Sequence, residues 1–419
     1  MIKIKNRILL LLVGVFVLPF VFTSCKTTKS STKTPPGKPE VSTPAPQPPV
    51  VKEKEEVKSD ELIKKRMVLI MPFELKKNFA NSDDEVTVPE INPTSLSALN
   101  FYEGALIAVD SLKSQKIEVR LNSYDTPSDS TGVARMMTNA AVKDADLVIA
   151  SLPNNLAEVA ARIAKTNNIK LVLTQAGSPQ LLTDNENVAL AYASTKTQCR
   201  EMVAFMLDQF TNANIILLFR TTRREDELAG VFREEILKLK GDSDFQDYNA
   251  TKKEYKDLPG VLSKTKRNLV FVISSDEAFV NPVLALLEEQ NIFGIKVSGL
   301  PTWLNFESID FNMFNNLQIH LFDNNFIDTD EKGKSTFRKS FVSRYYSDPL
   351  ANAYNGFDIV YNLGLSLREE YSGMENLILS SFKNENGNYN FVSTGSGGIE
   401  NKSISVLKIA DYKLERLNK

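Results

Sequence analysis

Few side chains in this chain could carry chemistry by themselves. Its two cysteines are Cys25 and Cys199, and its one histidine is His320. A zinc site gathers three or four Cys, His or carboxylate ligands, and a Ser-His-Asp or Cys-His arrangement needs an imidazole beside its nucleophile. A lone histidine in the strand-like run 317–322 supplies neither. The acidic clusters Asp83-Asp84-Glu85 and Asp328, Asp330 and Glu331 lack the alternating spacing of a calcium loop. The glycines of Gly395-Ser396-Gly397-Gly398 lie between strand-like runs, without the Lys-Ser/Thr ending of a phosphate loop, and read as a flexible turn. No nucleophile–base pair, metal set or cofactor motif emerges, so the chain is expected to be non-enzymatic and cofactor-free. Cys199, near a helix start, reads as a small buried apolar residue.

Cys25 is different because of what precedes it. Residues 1–25 read MIKIKNRILLLLVGVFVLPFVFTSC, with Lys3, Lys5 and Arg7 ahead of an apolar stretch from Ile8 to Phe22. That is the layout of a signal peptide, and the stretch is short for a transmembrane span. Phe22-Thr23-Ser24-Cys25 resembles a lipobox, in the Ser-Cys manner of Bacteroidetes lipoproteins, so Cys25 is the expected point of cleavage and lipid attachment. Several acyl chains on one residue anchor stably, since each buried methylene contributes about 0.8 kcal/mol. The next residues, Lys26-Thr27-Thr28-Lys29, are not the acidic run of surface-exported lipoproteins of that group. A periplasm-facing position follows, with the outer membrane favoured over the inner.

Residues 26–66 form a tether. Seven of the chain's 18 prolines fall between Pro35 and Pro49, where they deny the backbone both donors and freedom in φ. At about 3.1 Å per residue this Pro-rich part could span roughly 70 Å. The chain as a whole has 419 residues, enough for two domains, with 42% hydrophobic and 24% charged residues. Its 50 basic and 52 acidic residues leave a net charge of −2, which is no footprint for nucleic acid.

Those few residues must be positioned by the body beyond Arg66, where short β-branched apolar runs alternate with helical periodicity. This is the signature of parallel sheets in α/β layers. Strands are expected at 67–73, 117–121, 147–150 and 171–174, with helices at 97–113, 130–143, 154–167 and 196–209. The alternation then restarts, with strands at 214–219, 269–273 and 296–298 and helices at 225–239 and 282–290. Helical runs at 334–346 and 351–371 and a β-hairpin near 386–409 close the chain. Two rounds of β/α units suggest two similar lobes.

This order resembles the type I periplasmic-binding fold, that of the branched-chain amino-acid receptors of ABC importers. The landmarks are Val119 to Thr126 with its acidic turn, Leu147 to Asn155, Leu171 to Ser178, Asn214 to Arg220, and Asn352-Ala353-Tyr354-Asn355-Gly356-Phe357-Asp358. The resemblance implies two Rossmann-like lobes with parallel sheets, joined by a hinge of three strands crossing near Ala193, Phe322 and Lys383. Lobe 1 would comprise 67–193 and 323–382, and lobe 2 would comprise 194–322 and 383–419. Ligand would lie between the lobes, at the C-terminal ends of the strands.

The family holds a ligand carboxylate with hydroxyl and backbone donors of two first-lobe turns. Carried over, these are Asn154 and Asn155, which could donate or cap the following helix, and Gln175, Gly177 and Ser178, where binding and plain turn chemistry both fit. In the second lobe the family uses an acid and aromatics. Here the loop Arg220-Thr221-Thr222-Arg223-Arg224 is basic, making Arg223 and Arg224 candidates. Ser275 and Asp276 offer a hydroxyl and a carboxylate or a helix cap, and Trp303 is the only tryptophan. Such a set suits an anionic or ring-bearing guest better than a free α-amino acid.

The expected function is therefore a periplasmic solute-binding lipoprotein, partnered by a permease, that closes on a small polar ligand. The alternative is a ligand-free interaction or regulatory lipoprotein of the cell envelope, resembling activators of peptidoglycan synthases. That alternative expects Trp303 or Phe306 to plug the cleft, and 75–100 to offer a contact surface.

Overall fold

The computed structural model describes residues 62–78, 91–175, 177–241, 245–290, 292, 294–308, 310–324, 326–327, 335–368, 374, 382–383, 388–411 and 413–418. All belong to the unit Ser59–Lys419. Cys25 and its signal, the tether as far as residue 61, both acidic clusters and the middle of the 75–100 insert lie outside these residues.

The first strand, β1 (Ile63–Met71), shows how the sequence builds a layer. Its first half alternates between exposed and half-buried, and its second half, Met67 to Met71, is buried on both faces. Met67, Leu69 and Met71 face one helical layer while Val68 and Ile70 face the other. The strand begins inside the expected tether, because Ile63 to Arg66 already pair with Ile117 to Arg120.

Along the first lobe follow α1 (Leu75–Asn78), α2 (Pro93–Ser114), β2 (Ile117–Asp125), α3 (Ser130–Met137), α4 (Ala140–Lys143), β3 (Leu147–Ala150), α5 (Asn154–Asn167), β4 (Leu171–Leu173) and β5 (Val188–Leu190). The second lobe contributes α6 (Thr195–Gln209), β6 (Asn214–Phe219), α7 (Arg223–Lys240), β7 (Phe245–Asn249), β8 (Asn268–Ile273), α8 (Glu277–Glu289), β9 (Ile295–Ser298), α9 (Phe311–Asn316) and β10 (His320–Asp323). The chain then runs through α10 (Thr336–Tyr345), α11 (Ala351–Ser366), β11 (Phe382–Lys383), β12 (Asn388–Tyr389), β13 (Phe391–Ser393), β14 (Ile399–Asn401), β15 (Ser405–Ala410) and β16 (Lys413–Arg416).

One sheet has the order β13-β14-β5-β4-β3-β1-β2 and the other β16-β15-β10-β9-β8-β6-β7. The parallel cores, 5-4-3-1-2 and 10-9-8-6-7, are thus the same topology used twice. Each has its strand order reversing beside its first strand, between β1 and β3 and between β6 and β8. Such a switch point opens a crevice at the carboxyl ends of the strands.

Several expectations shift. The helix expected over 130–143 is two helices, because Asn139 caps a fresh start by accepting from Ala141 N–H. α2 starts at Pro93, which needs no N–H at a helix N-terminus, behind the Asn92 cap. α8 runs through Pro282 from Glu277, capped by Asp276. The edge strand β7, FQDYN, is not among the expected strands, since Phe245 and Tyr248 stand among polar residues without a β-branched run.

The third crossing differs most. It lies between Asn401 and Ser405, not near Lys383, because β13 and β14 form a hairpin whose second strand pairs with β5 of the first sheet. Only then does β15 pair antiparallel with β10 of the second.

On the face of the first sheet that carries Met67, Leu69 and Met71, α2 crosses α11 at near backbone contact. A Cβ on Gly104 would stand 1.9 Å from the Ala353 carbonyl oxygen, and one on Gly356 would stand 2.0 Å from that of Phe101. The first turns of both helices are thereby held over the β1/β3 crevice.

Candidate functional site

At that crevice lies a cavity of about 260 Å³. Its floor is the strand ends, with Met71 closing β1 and Pro72 following it, Ser151 after β3, and Thr174 and Gln175 after β4. Thr94, Ser97 and Phe101 descend from the start of α2, Asn352 from the start of α11, and Tyr192 from the chain leaving β5. Gln175 Nε2 donates to Ser151 Oγ at 3.0 Å, and Ser151 N–H is held by the Ile70 carbonyl at 2.8 Å. No Asp, Glu, Lys or Arg lines this cavity. The polarity comes from hydroxyls and side-chain amides, beside the first turn of α11, which no side chain caps. Burial pushes the Tyr192 hydroxyl well above its usual pKa, so it stays a proton donor.

The corresponding crevice of the second lobe, between β6 and β8, is built around Arg220. This residue directly follows β6, and its guanidinium meets Glu225 from the first turn of α7, Nη2 to Oε1 at 2.6 Å and Nε to Oε2 at 3.3 Å. Nη1 donates to Asp276 at 2.8 Å and Nη2 to Ser274 Oγ at 3.2 Å, while the ring of Phe279 lies 4.4 Å below. Glu225 and Ser274 are buried, and Ser274 Oγ also donates to Glu225 at 2.9 Å. These hydrogen bonds, first that of Glu225, raise the Arg220 pKa; Asp276 is held below its ordinary value, first by the hydrogen bond from Arg220.

The residues singled out from the sequence scatter against this frame. Gln175 lines the first-lobe cavity. Asn154 and Asn155 are exposed on the first turn of α5, where Pro153 is the cap residue and no side chain caps, so the expected capping use is not seen. Gly177 is buried, and a Cβ there would press on Leu190 at 3.0 Å and Leu181 at 3.1 Å, which makes it a packing glycine. The Ser178 hydroxyl donates to the Gln180 side chain.

Arg223 is exposed and pairs with Glu227 at 3.4 Å, and Arg224 is exposed beside it. Ser275 Oγ accepts from Thr302 Oγ1 at 3.0 Å. Asp276 both caps α8 and pairs with Arg220.

Trp303 is a correction. It is 1% exposed within the second lobe's core, and its Nε1 donates to the Ser274 carbonyl at 2.8 Å. Phe306 stacks on it and packs against the same core, so neither plugs a cleft. Sequence reading passed over Ser151, Thr174, Tyr192, Asn352 and Arg220. The signal that marks them is position: the residue at or just after a buried strand's last apolar residue, or in the first turn of a helix.

Among the described residues no group of three or more His, Cys, Asp or Glu could hold a metal ion, and no helix is long and apolar enough to cross a membrane. No protein-family model matches the sequence, and no curated protein does. Solved structures do match. An ABC transporter substrate-binding protein from Desulfitobacterium hafniense, in complex with Leu, is 15% identical over 84% of this chain and 100% of its own, with a TM-score of 0.53. A protein named as a branched-chain amino acid ABC transporter of Rhodospirillum rubrum is 13% identical over 85% and 99%, at 0.59. A branched chain amino acid ABC transporter periplasmic ligand-binding protein from Burkholderia xenovorans is 13% identical over 85% and 94%, at 0.56. The chain has the type I periplasmic-binding fold.

Proposed function

We propose that this chain is a solute-binding receptor, without enzymatic activity, whose two lobes close on a small polar ligand for an ABC permease. The observation that carries the reading is the first-lobe cavity. It lies at the β1/β3 switch point and is lined by Ser151, Thr174, Gln175, Thr94, Ser97 and Asn352 without a charged side chain. That is a lining suited to orienting a ligand by hydrogen bonds, with no group placed for bond-breaking. The doubled sheet order supports it, since hinge closure brings two such crevices together. The structural neighbours named as substrate-binding and periplasmic ligand-binding proteins favour the same role.

The anchor belongs to the same proposal. Lipid on Cys25 and the tether from residue 26 up to β1 would hold the body on the periplasmic side of the outer membrane, free to reach a permease across the tether's span. No feature of the described residues favours the ligand-free role or a peptidoglycan-synthase partner.

The test is thermal unfolding of the Cys25→Ser chain against amino acids, nucleosides, sugars and muropeptides. A ligand at 100 times its dissociation constant adds about 2.7 kcal/mol to the folded state. The midpoint should rise by several degrees and the rise should vanish in Ser151→Ala or Thr174→Val. A shift untouched by those variants would put the ligand elsewhere, and a panel without any shift would count against the receptor.

A further inference from the structure

The two lobes invite a comparison that bears on the ligand. β1, β3 and β4 of the first sheet correspond in order to β6, β8 and β9 of the second. Pro72 after β1 thus corresponds to Arg220 after β6, and Ser151 after β3 corresponds to Ser274 after β8. In the first lobe that crevice is a neutral cavity. In the second it holds a guanidinium. At the position after the first strand of each sheet, the uncharged Pro72 of one lobe is thus answered by Arg220 and the acids that hold it in the other.

Those acids are not equivalent. Glu225 is buried, meets Arg220 through both oxygens, accepts Arg220 N–H at 2.8 Å, and is braced by Ser274. It is a permanent part of the lobe. The Asp276 side chain is 46% exposed and meets Arg220 through one oxygen at 2.8 Å, while the other accepts from Ala278 N–H at 3.1 Å. An Asp276 that let go of Arg220 would therefore keep its work as helix cap. Of the five guanidinium donors, one on Nη1 has no partner among the described residues. Releasing Asp276 would free both Nη1 donors on the solvent side of a guanidinium already fixed by Glu225, Ser274 and Phe279.

We propose that Arg220 is the oxyanion receptor of the second lobe and that Asp276 occupies it in place of a ligand carboxylate or other oxyanion. The inference rests on the receptor reading and narrows it. The ligand carries an anionic group that meets Arg220, and the neutral first-lobe cavity takes its uncharged polar part. Asp276 sets a threshold, because a neutral solute gains nothing by displacing it. The guanidinium is already fixed by Glu225, Ser274 and Phe279 and loses little freedom on binding.

The experiment is titration calorimetry of the Cys25→Ser chain with succinate, L-glutamate and inorganic phosphate, alongside the neutral succinamide and L-glutamine. Asp276→Asn keeps the helix cap and removes the competing charge. At least one anion should bind it about tenfold tighter than the parent, with the matching amide unchanged. The double variant Arg220→Gln with Glu225→Gln, which leaves no buried charge unpaired, should lose that anion. If neutral members bind and Asp276→Asn leaves every anion-to-amide ratio unaltered, the inference fails and the receptor reading stands. If no anion binds the Asp276→Asn chain while the wider unfolding panel yields a ligand, the inference is overturned and the receptor reading stands.

Discussion

Glu400 Oε1 accepts a hydrogen bond from the backbone N–H of Ser194 at 2.8 Å, joining two of the segments by which the chain passes between the sheets. The neighbouring groups are tied in the same way. Asn401 Nδ2 donates to the Ala191 carbonyl, and Asn324 Nδ2, from the remaining crossing, donates to the Ala193 carbonyl, each at 2.9 Å. Tyr192, which lines the first-lobe cavity, sits between these clamped backbone groups. The first-lobe cavity and the crossings between the sheets therefore share one stretch of buried chain.

Glu400→Ala should leave the buried Ser194 N–H without an acceptor and destabilise the chain by about 1–3 kcal/mol. Glu400→Gln retains an amide oxygen at that place and should recover most of the loss. Urea unfolding compares the two, and equal losses would show that the hydrogen bond is not what Glu400 contributes.

The crossing of α2 and α11 predicts opposite signs for one substitution. Gly104→Ala and Gly356→Ala each push a methyl into a backbone carbonyl and should destabilise by about 1–3 kcal/mol or more, despite better helix propensity. Gly230→Ala in α7 meets no atom within 4 Å and should stabilise by up to about 1 kcal/mol. Three shifts of the same sign would refute the packing argument.

Trp303 should report the core and not the ligand. Its emission should be blue-shifted and shielded from iodide, with any solute bound leaving it little changed, since the ring is 1% exposed. Trp303→Ala should destabilise by about 3–5 kcal/mol. A mild loss of stability with abolished binding would restore it to the site.

His320 makes stability depend on pH. Burial, more than the nearby Lys296 and Lys408, lowers its pKa from 6.5 to about 4. Above the unfolded value neither state holds the proton; below it the unfolded chain binds one that the fold refuses. Stability present above pH 6.5 is thus lost as pH falls toward 4, by up to about 3 kcal/mol. The urea midpoint of His320→Leu relative to the parent should shift in the variant's favour as pH falls through that window. Parallel curves would show that another group is responsible.

Much of the scaffold was legible in the chain because it is local. Buried runs such as Ile215 to Phe219 and Leu269 to Ile273 announce parallel strands by composition, and the repeated β/α spacing announces two lobes. One histidine and two cysteines already argue against metal and nucleophile chemistry. The destinations of side chains were not legible. Gly177, Ser178 and Trp303 have the types a binding turn uses, yet Gly177 packs on leucines and Trp303 reaches across the lobe to the Ser274 carbonyl. Arg220 lay in a basic loop like Arg223 and Arg224, and only the approach of β8 beside β6 gave it Ser274 and Asp276 as partners. Periodicity is written over a few residues, whereas those contacts join positions 54 and 56 apart, and which of them form is decided when the sheets assemble.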